Sequence, residues 1–182
     1  GKQKAYMTGH DEVHSLSKNM DGADVRFWMG FGEHYINVFT VLKNLGLLSE
    51  KPVKTAEGLE VVPLKVVKAV LPDPSSLAPD YVGKTCIGDI VKGTKDGKER
   101  EVFIYNVADH KEAYEEVGSQ GISYTAGVPP VAAAMLIATG EWDVKQMANV
   151  EELPPQPFLN LLNKIGLPTR VKDENGDRAL TF

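Results

Sequence analysis

The alternation of apolar and polar positions divides the chain into short elements of both kinds. Residues 4–8 form an extended run. Residues 10–17 carry Val13 and Leu16 at helical spacing, with Asp11 and Glu12 in the first turn, where the helix dipole favours acidic side chains. A turn rich in Asn, Asp and Gly over 19–24 leads into a strand over 25–31, with Val25, Phe27 and Met29 on one face and Arg26 and Trp28 on the other. Helical spacing returns over 33–47, where Ile36, Phe39, Leu42 and Leu45 make an apolar stripe and Gly46 is placed to cap its end. A helix over 63–71 presents Leu64 and Val67 and stops at Pro72 and Pro74, and 72–79 is a proline-rich connection.

The strongest local signal is Thr94-Lys95-Asp96-Gly97-Lys98 between the alternating runs 85–93 and 100–108. Asp-Gly tolerates the positive φ values of a tight turn, so the segment predicts a β-hairpin. A short helix over 111–117 and a turn over 118–121 follow. A helix over 129–139 opens on Pro129 and closes on Gly140. Residues 157–165 place Phe158, Leu161, Leu162 and Ile165 on one helix face, Gly166 caps it, and 167–172 is a last strand. Helices and strands mix without a regular βαβ alternation and without an internal repeat. The predicted class is α+β, a mixed, largely antiparallel sheet with helices on one face, in one domain over 1–182.

Composition excludes several function classes. With 42% hydrophobic and 25% charged residues among 182, the chain is globular rather than disordered. Its net charge of -5 argues against a nucleic-acid partner, which needs a basic face. Cys86 is the only cysteine, so no intrachain disulfide forms, which suits a reducing cytoplasm. No apolar run reaches the roughly 18 residues of a membrane span. The longest, over 128–138, holds two prolines, so no membrane partner is expected. The opening Gly1-Lys2-Gln3-Lys4 has neither Met nor a signal-peptide core, and reads as the start of a piece cut from something longer.

Four constellations could carry chemistry. Gly30-Phe31-Gly32 sits between a strand and a helix but lacks the third glycine of a dinucleotide-binding turn, and Glu50 lies too poorly placed for the ribose. A plain strand-to-helix turn accounts for it. His10 and His14 share a helix face at i and i+4, but Asp11 stands where a zincin has Glu, and no metal is expected. Ser123-Tyr124-Thr125-Ala126-Gly127-Val128-Pro129-Pro130 reads as a helix start whose free amides near Gly127 could receive a carboxylate or phosphate, or as a tightly packed helix entry with no ligand. It stands near Asn106-Val107-Ala108-Asp109-His110, a strand that ends on polar residues. Arg26, among Phe27, Trp28 and Met29, needs a carboxylate, either an internal Asp or Glu or that of a substrate.

Taken together, these segments resemble the C-terminal region of the saccharopine dehydrogenase family. The strand Val25-Arg26-Phe27-Trp28-Met29-Gly30-Phe31 and the segment Val41-Leu42-Lys43-Asn44-Leu45-Gly46-Leu47-Leu48 look like its arginine-aromatic strand and following helix. Within it, Leu71-Pro72-Asp73-Pro74-Ser75-Ser76-Leu77, the run from Ile104 to His110, the run from Glu116 to Pro129 and Asn149-Val150-Glu151-Glu152-Leu153 are similar to the carboxynorspermidine dehydrogenase branch. The resemblance implies a two-domain reductase. An N-terminal Rossmann domain, absent from this chain, would bind NADPH. This region would supply a substrate-binding and dimer-forming domain resembling the second domain of glyceraldehyde-3-phosphate dehydrogenase. The reaction implied is reduction of a Schiff base of L-aspartate β-semialdehyde and a diamine, with saccharopine dehydrogenase proper or a non-catalytic binding module as alternatives. By the same resemblance Arg26 would grip the substrate carboxylate, with Phe31, Asn106, Thr125 and Gly127 beside it. Thr125, Gly127 and Pro129 would face the cofactor, and Tyr124, His110 and His10 are the candidate catalytic groups. A homodimer is expected.

Overall fold

The computed structural model describes residues 4–182; Gly1, Lys2 and Gln3, on which the reading of the chain's start rests, lie outside the described residues. The chain divides into two compact units, Gly1–Pro72 and Asp73–Phe182.

In the first unit, β1 (Ala5–Thr8) pairs antiparallel with β2 (Phe27–Gly30), Thr8 lying opposite Phe27 and Ala5 opposite Gly30. Between them runs α1 (Asp11–Asn19), and after them α2 (Glu33–Asn44). The left-handed turn after α2 falls on Gly46, φ +74°, where a side chain would be strained. A two-residue hairpin of β3 (Val53–Lys54) and β4 (Glu60–Val61) leads into α3 (Pro63–Val70), which starts on proline and buries Pro63 and Val67. Strands of two residues leave no periodicity to read, which is why this hairpin escaped prediction. The predicted strand over 25–31 is shorter in the structure, and Arg26 lies just before it. Of the stripe expected on α2, Ile36 and Leu42 are half-buried while Phe39 is exposed, and a separate row, Phe31, Tyr35 and Phe39, stacks at 5.0 and 5.9 Å between ring centres. Yet α2 buries none of its residues.

The second unit opens on a 3-10 segment, Pro74–Asp80, where a proline-rich connection was expected; Asp73 accepts the Ser75 N–H at its head. The predicted hairpin follows as β5 (Lys84–Lys95) and β6 (Lys98–Asp109), turned by Asp96 at φ 54° and Gly97 at φ 74°. With β7 (Thr169–Asp173) and β8 (Gly176–Ala179), which was not predicted, they form one antiparallel sheet in the order β5-β6-β7-β8. Helices α4 (His110–Val117), α5 (Gly121–Thr139) and α6 (Pro155–Lys164) supply the other layer. Asp109 caps α4 by accepting the Lys111 and Glu112 N–H groups, and Gly118 and Gly140 end α4 and α5 in the left-handed conformation. Ala108, Ala113, Tyr124, Ala132, Leu162 and Leu167 form the core between the layers. The opposite face of the sheet, with Cys86, Ile90 and Val107, is exposed. The architecture is α+β with antiparallel pairing throughout the described strands.

One helix boundary needs correcting. α5 begins at Gly121, eight residues before the expected start, and Pro129 and Pro130 lie inside it. Proline at a first helical turn and proline in a helix interior share the same local chemistry, since both fit φ near −65°. Packing decides between them: Gly121, Tyr124 and Thr125, all upstream of the prolines, are buried. The continuous helix of 19 residues is long and apolar enough, by length and composition, to cross a membrane, which the reading that stopped at the prolines overlooked. Of its apolar window 28% is buried, with Tyr124, Thr125, Ala132 and Leu136 among the buried residues and Ile122, Val131 and Ile137 exposed.

Leu162, 3% exposed, is central to this layer. Leu162→Ala is expected to cost about 2–5 kcal/mol in urea denaturation, the range for a truncated core leucine; a loss under about 1 kcal/mol would place the core elsewhere.

Candidate functional site

The first unit holds an open cavity of about 570 Å³, with Thr8, His10, His14, Ser17, Arg26 and Phe27 in its lining. Its walls follow from the local fold. The pairing of Thr8 with Phe27 sets the end of β1 against the start of β2. His10 is the N-cap residue of α1, and His14 follows one turn later on the same face. The His10 ring stacks on Phe27 with centres 4.1 Å apart, and its Nδ1 pairs with the Glu12 carboxylate.

Arg26 is exposed, and its carboxylate partner is internal. Nε donates to Asp24 Oδ1 at 3.1 Å and Nη2 to Asp24 Oδ2 at 2.5 Å. The hydrogen bond and then the charge of Asp24 raise the guanidinium pKa, so Arg26 is cationic at any working pH. An open hollow edged by a guanidinium and two imidazoles is suited to a carboxylate. Among the described residues no group of three His, Cys, Asp or Glu converges as metal ligands do. Phe31 does not line the cavity; it stacks on Tyr35.

The polar candidates in the second unit each hydrogen-bond within the fold. His110 is buried, its Nδ1 accepts the Gly121 N–H at 3.0 Å, and its ring meets Tyr81 edge to face. That bond satisfies the first free amide of α5 and leaves Nε2 as the protonated nitrogen. Tyr124 points into the core, and its hydroxyl bonds to Glu116 at 3.2 Å. Burial, then the Glu116 charge, pushes its phenol pKa up, which makes it a poorer proton donor. The Thr125 hydroxyl donates to the Ile122 carbonyl. Asn106 Nδ2 bonds to the carbonyls of Leu167 and Pro168 and to Thr169 Oγ1, tying β6 to the chain entering β7. Gly127 and Pro129 lie within α5, away from the free amides of its first turn, so the expected helix start at Pro129 is corrected. A smaller hollow of about 370 Å³, beside Glu141, Asn160 and Lys164, contains none of the predicted residues.

Of the residues singled out from the sequence, Arg26, His10 and His14 line this cavity; Thr8, Ser17 and Phe27 line it too without having been named as site residues, and neither was Asp24 named as the partner of Arg26. Asp24 was legible in principle, since residues two apart in extended chain share a face. Thr8 and Ser17 carry no spacing signal.

The family model described as the saccharopine dehydrogenase C-terminal domain matches residues 1–167. The chain belongs to that family. Among curated members of the wider protein set, it is 51% identical to a carboxynorspermidine synthase of Vibrio alginolyticus over 173 residues, 95% of this chain and 42% of the relative. It is 50% identical to the carboxynorspermidine synthase of Vibrio cholerae over 92% of the chain and 40% of that protein. A carboxyaminopropylagmatine dehydrogenase of Synechocystis is 44% identical over 92% of the chain and 42% of its own length. This saccharopine dehydrogenase C-terminal region therefore spans about two fifths of the relatives it matches.

The buried phenol gives a test. Tyr124→Phe is expected to lose about 0.5–1.5 kcal/mol of stability, one hydrogen bond's worth, and to keep kcat of the full-length protein within about twofold. A phenol whose folded pKa is raised stabilises the fold below its unfolded pKa, near 10, and that contribution is lost as pH rises through the folded value. Alkaline unfolding should accordingly be steeper for the parent than for Tyr124→Phe; a collapse of kcat at unchanged stability would restore the catalytic role.

Proposed function

We propose that this chain is the substrate-binding and dimer-forming part of an NAD(P)H-dependent oxidoreductase acting on CH–NH groups in polyamine biosynthesis. The reaction is reduction of the Schiff base of L-aspartate β-semialdehyde and a diamine, 1,3-diaminopropane or putrescine, to carboxynorspermidine or carboxyspermidine. The observation that carries this reading is Arg26 on the wall of an open cavity, in a chain 44–51% identical to proteins named for carboxylated polyamine products. An imine reductase asks little of this part: a grip on the carboxylate, a proton source and exclusion of water. Arg26 provides the grip. Of the three candidate catalytic groups, His10 is the one in the cavity lining, and we assign it the role of proton donor.

The described residues do not fit a nicotinamide nucleotide. The glycine turn at Gly30 lacks its third glycine, and Thr125, Gly127 and Pro129 offer no free helix amides. NADPH is therefore assigned mainly to an N-terminal Rossmann domain outside this chain, and the isolated piece should not turn over. The exposed sheet face with Cys86, Ile90 and Val107 supports a homodimer, since apolar surface of this kind marks association. The acidic balance and single cysteine support a cytoplasmic protein without nucleic-acid partners, and the burial of Tyr124, Thr125 and Leu136 supports α5 as a core helix, not a membrane anchor. Saccharopine dehydrogenase of lysine metabolism is the neighbouring reading within the family; assays with lysine or glutamate as the amine separate the two.

In the full-length enzyme, Arg26→Ala should raise KM for the semialdehyde on the order of 10- to 100-fold with a smaller change in kcat. The circular dichroism spectrum should stay unchanged. An unaltered KM in a folded variant overturns the assignment.

A further inference from the structure

We infer that Asp24 is the positioning residue of the carboxylate grip, an inference that rests on the proposed role of Arg26. The guanidinium is a planar fork with two edges able to take a carboxylate, one through Nε and Nη2 and one through Nη1 and Nη2. Asp24 occupies the first edge with both oxygens, at 3.1 Å from Nε and 2.5 Å from Nη2. Neither bond uses Nη1. A ligand carboxylate entering the cavity that Arg26 lines can therefore bind the second edge without displacing Asp24.

The local chain favours this arrangement. Asp24 and Arg26 are two residues apart in non-helical backbone leading into β2, so their side chains lie on the same side. Arginine has many rotamers, and an exposed one would sample most of them before meeting a substrate. A second carboxylate on the side edge removes that freedom in advance, which is the usual gain from preorganisation.

Two effects of Asp24 oppose each other. Its negative charge weakens attraction for an incoming carboxylate, while its two hydrogen bonds hold the fork in place. The Asp24 side chain is 70% exposed, so water screens its charge strongly, whereas directed hydrogen bonds are short-ranged and keep their geometry. Orientation should dominate, and the sign of the mutational effect reports which of the two wins.

The test uses the full-length enzyme at saturating 1,3-diaminopropane and NADPH, with L-aspartate β-semialdehyde varied. Asp24→Asn and Asp24→Ala should raise KM for the semialdehyde about three- to tenfold with kcat nearly constant. Asp24→Glu, which still reaches the fork, should recover most of the loss. In an Arg26→Ala background, Asp24→Asn should add nothing, because the two residues act as one unit. A KM that stays level or falls in Asp24→Asn, while Arg26→Ala still raises it, overturns the positioning role and leaves the grip standing. Arg26→Ala without effect removes the underlying reading itself.

Discussion

The second unit depends on a tight turn at Asp96 and Gly97, both with positive φ, which locks β5 and β6 into a register of directly facing pairs from Lys95 and Lys98 back to Lys84 and Asp109. A slip of one residue would move every side chain to the other face. In the observed register, Ala108 enters the core and Asn106 faces Thr169, while Cys86, Ile90 and Val107 stay on the open face. The same register ends β6 at Asp109, with His110 next to it at the head of α4. These caps then start α4 through the Asp109 carboxylate and α5 through the His110 imidazole. The hairpin thus decides where two helices begin.

Several polar residues in this unit that resemble a site in the sequence are also tied into the framework. A polar group taken out of water must find a partner, and here the partners are backbone groups at junctions between elements. Asn106 ties the loop before β7 to β6, and Asn163 accepts the Thr169 N–H at 2.8 Å. Tyr124 spans from the core to Glu116 above Gly166, whose φ of +95° and lack of a side chain make room for the phenol. Clusters of Asn, His, Tyr and Thr at the ends of strands look the same on the page whether they bind a ligand or bind the chain to itself. Only the tertiary partners separate the two.

The legible parts of the fold were those governed by near neighbours. Asp96-Gly97 marked the hairpin, Gly46, Gly118 and Gly140 marked helix ends, and the spacing of Phe158, Leu161, Leu162 and Ile165 marked α6. Where a feature depended on distant packing, local signals misled. The two prolines of α5 looked like a first turn, and the burial of residues upstream of them was invisible without the sheet. Of the stripe read on α2, Phe39 and Leu45 remain exposed, because periodicity reports an apolar face without reporting what covers it.

The first unit follows a different logic. Its cavity is open, its helices bury little, and two of its charged pairs, Arg26 with Asp24 and His10 with Glu12, join neighbours in sequence. Such pairs add little to stability in water. Their physical value lies in orientation, since each holds an ionic or imidazole group at one edge and leaves another edge free. In the second unit the junctions between elements are tied by internal hydrogen bonds, while Arg100 Nε in β6 is buried without a partner. In the first unit the pair with Asp24 leaves Nη1 of Arg26 outside both bonds, and that open edge on the cavity wall is the one the proposed carboxylate grip uses.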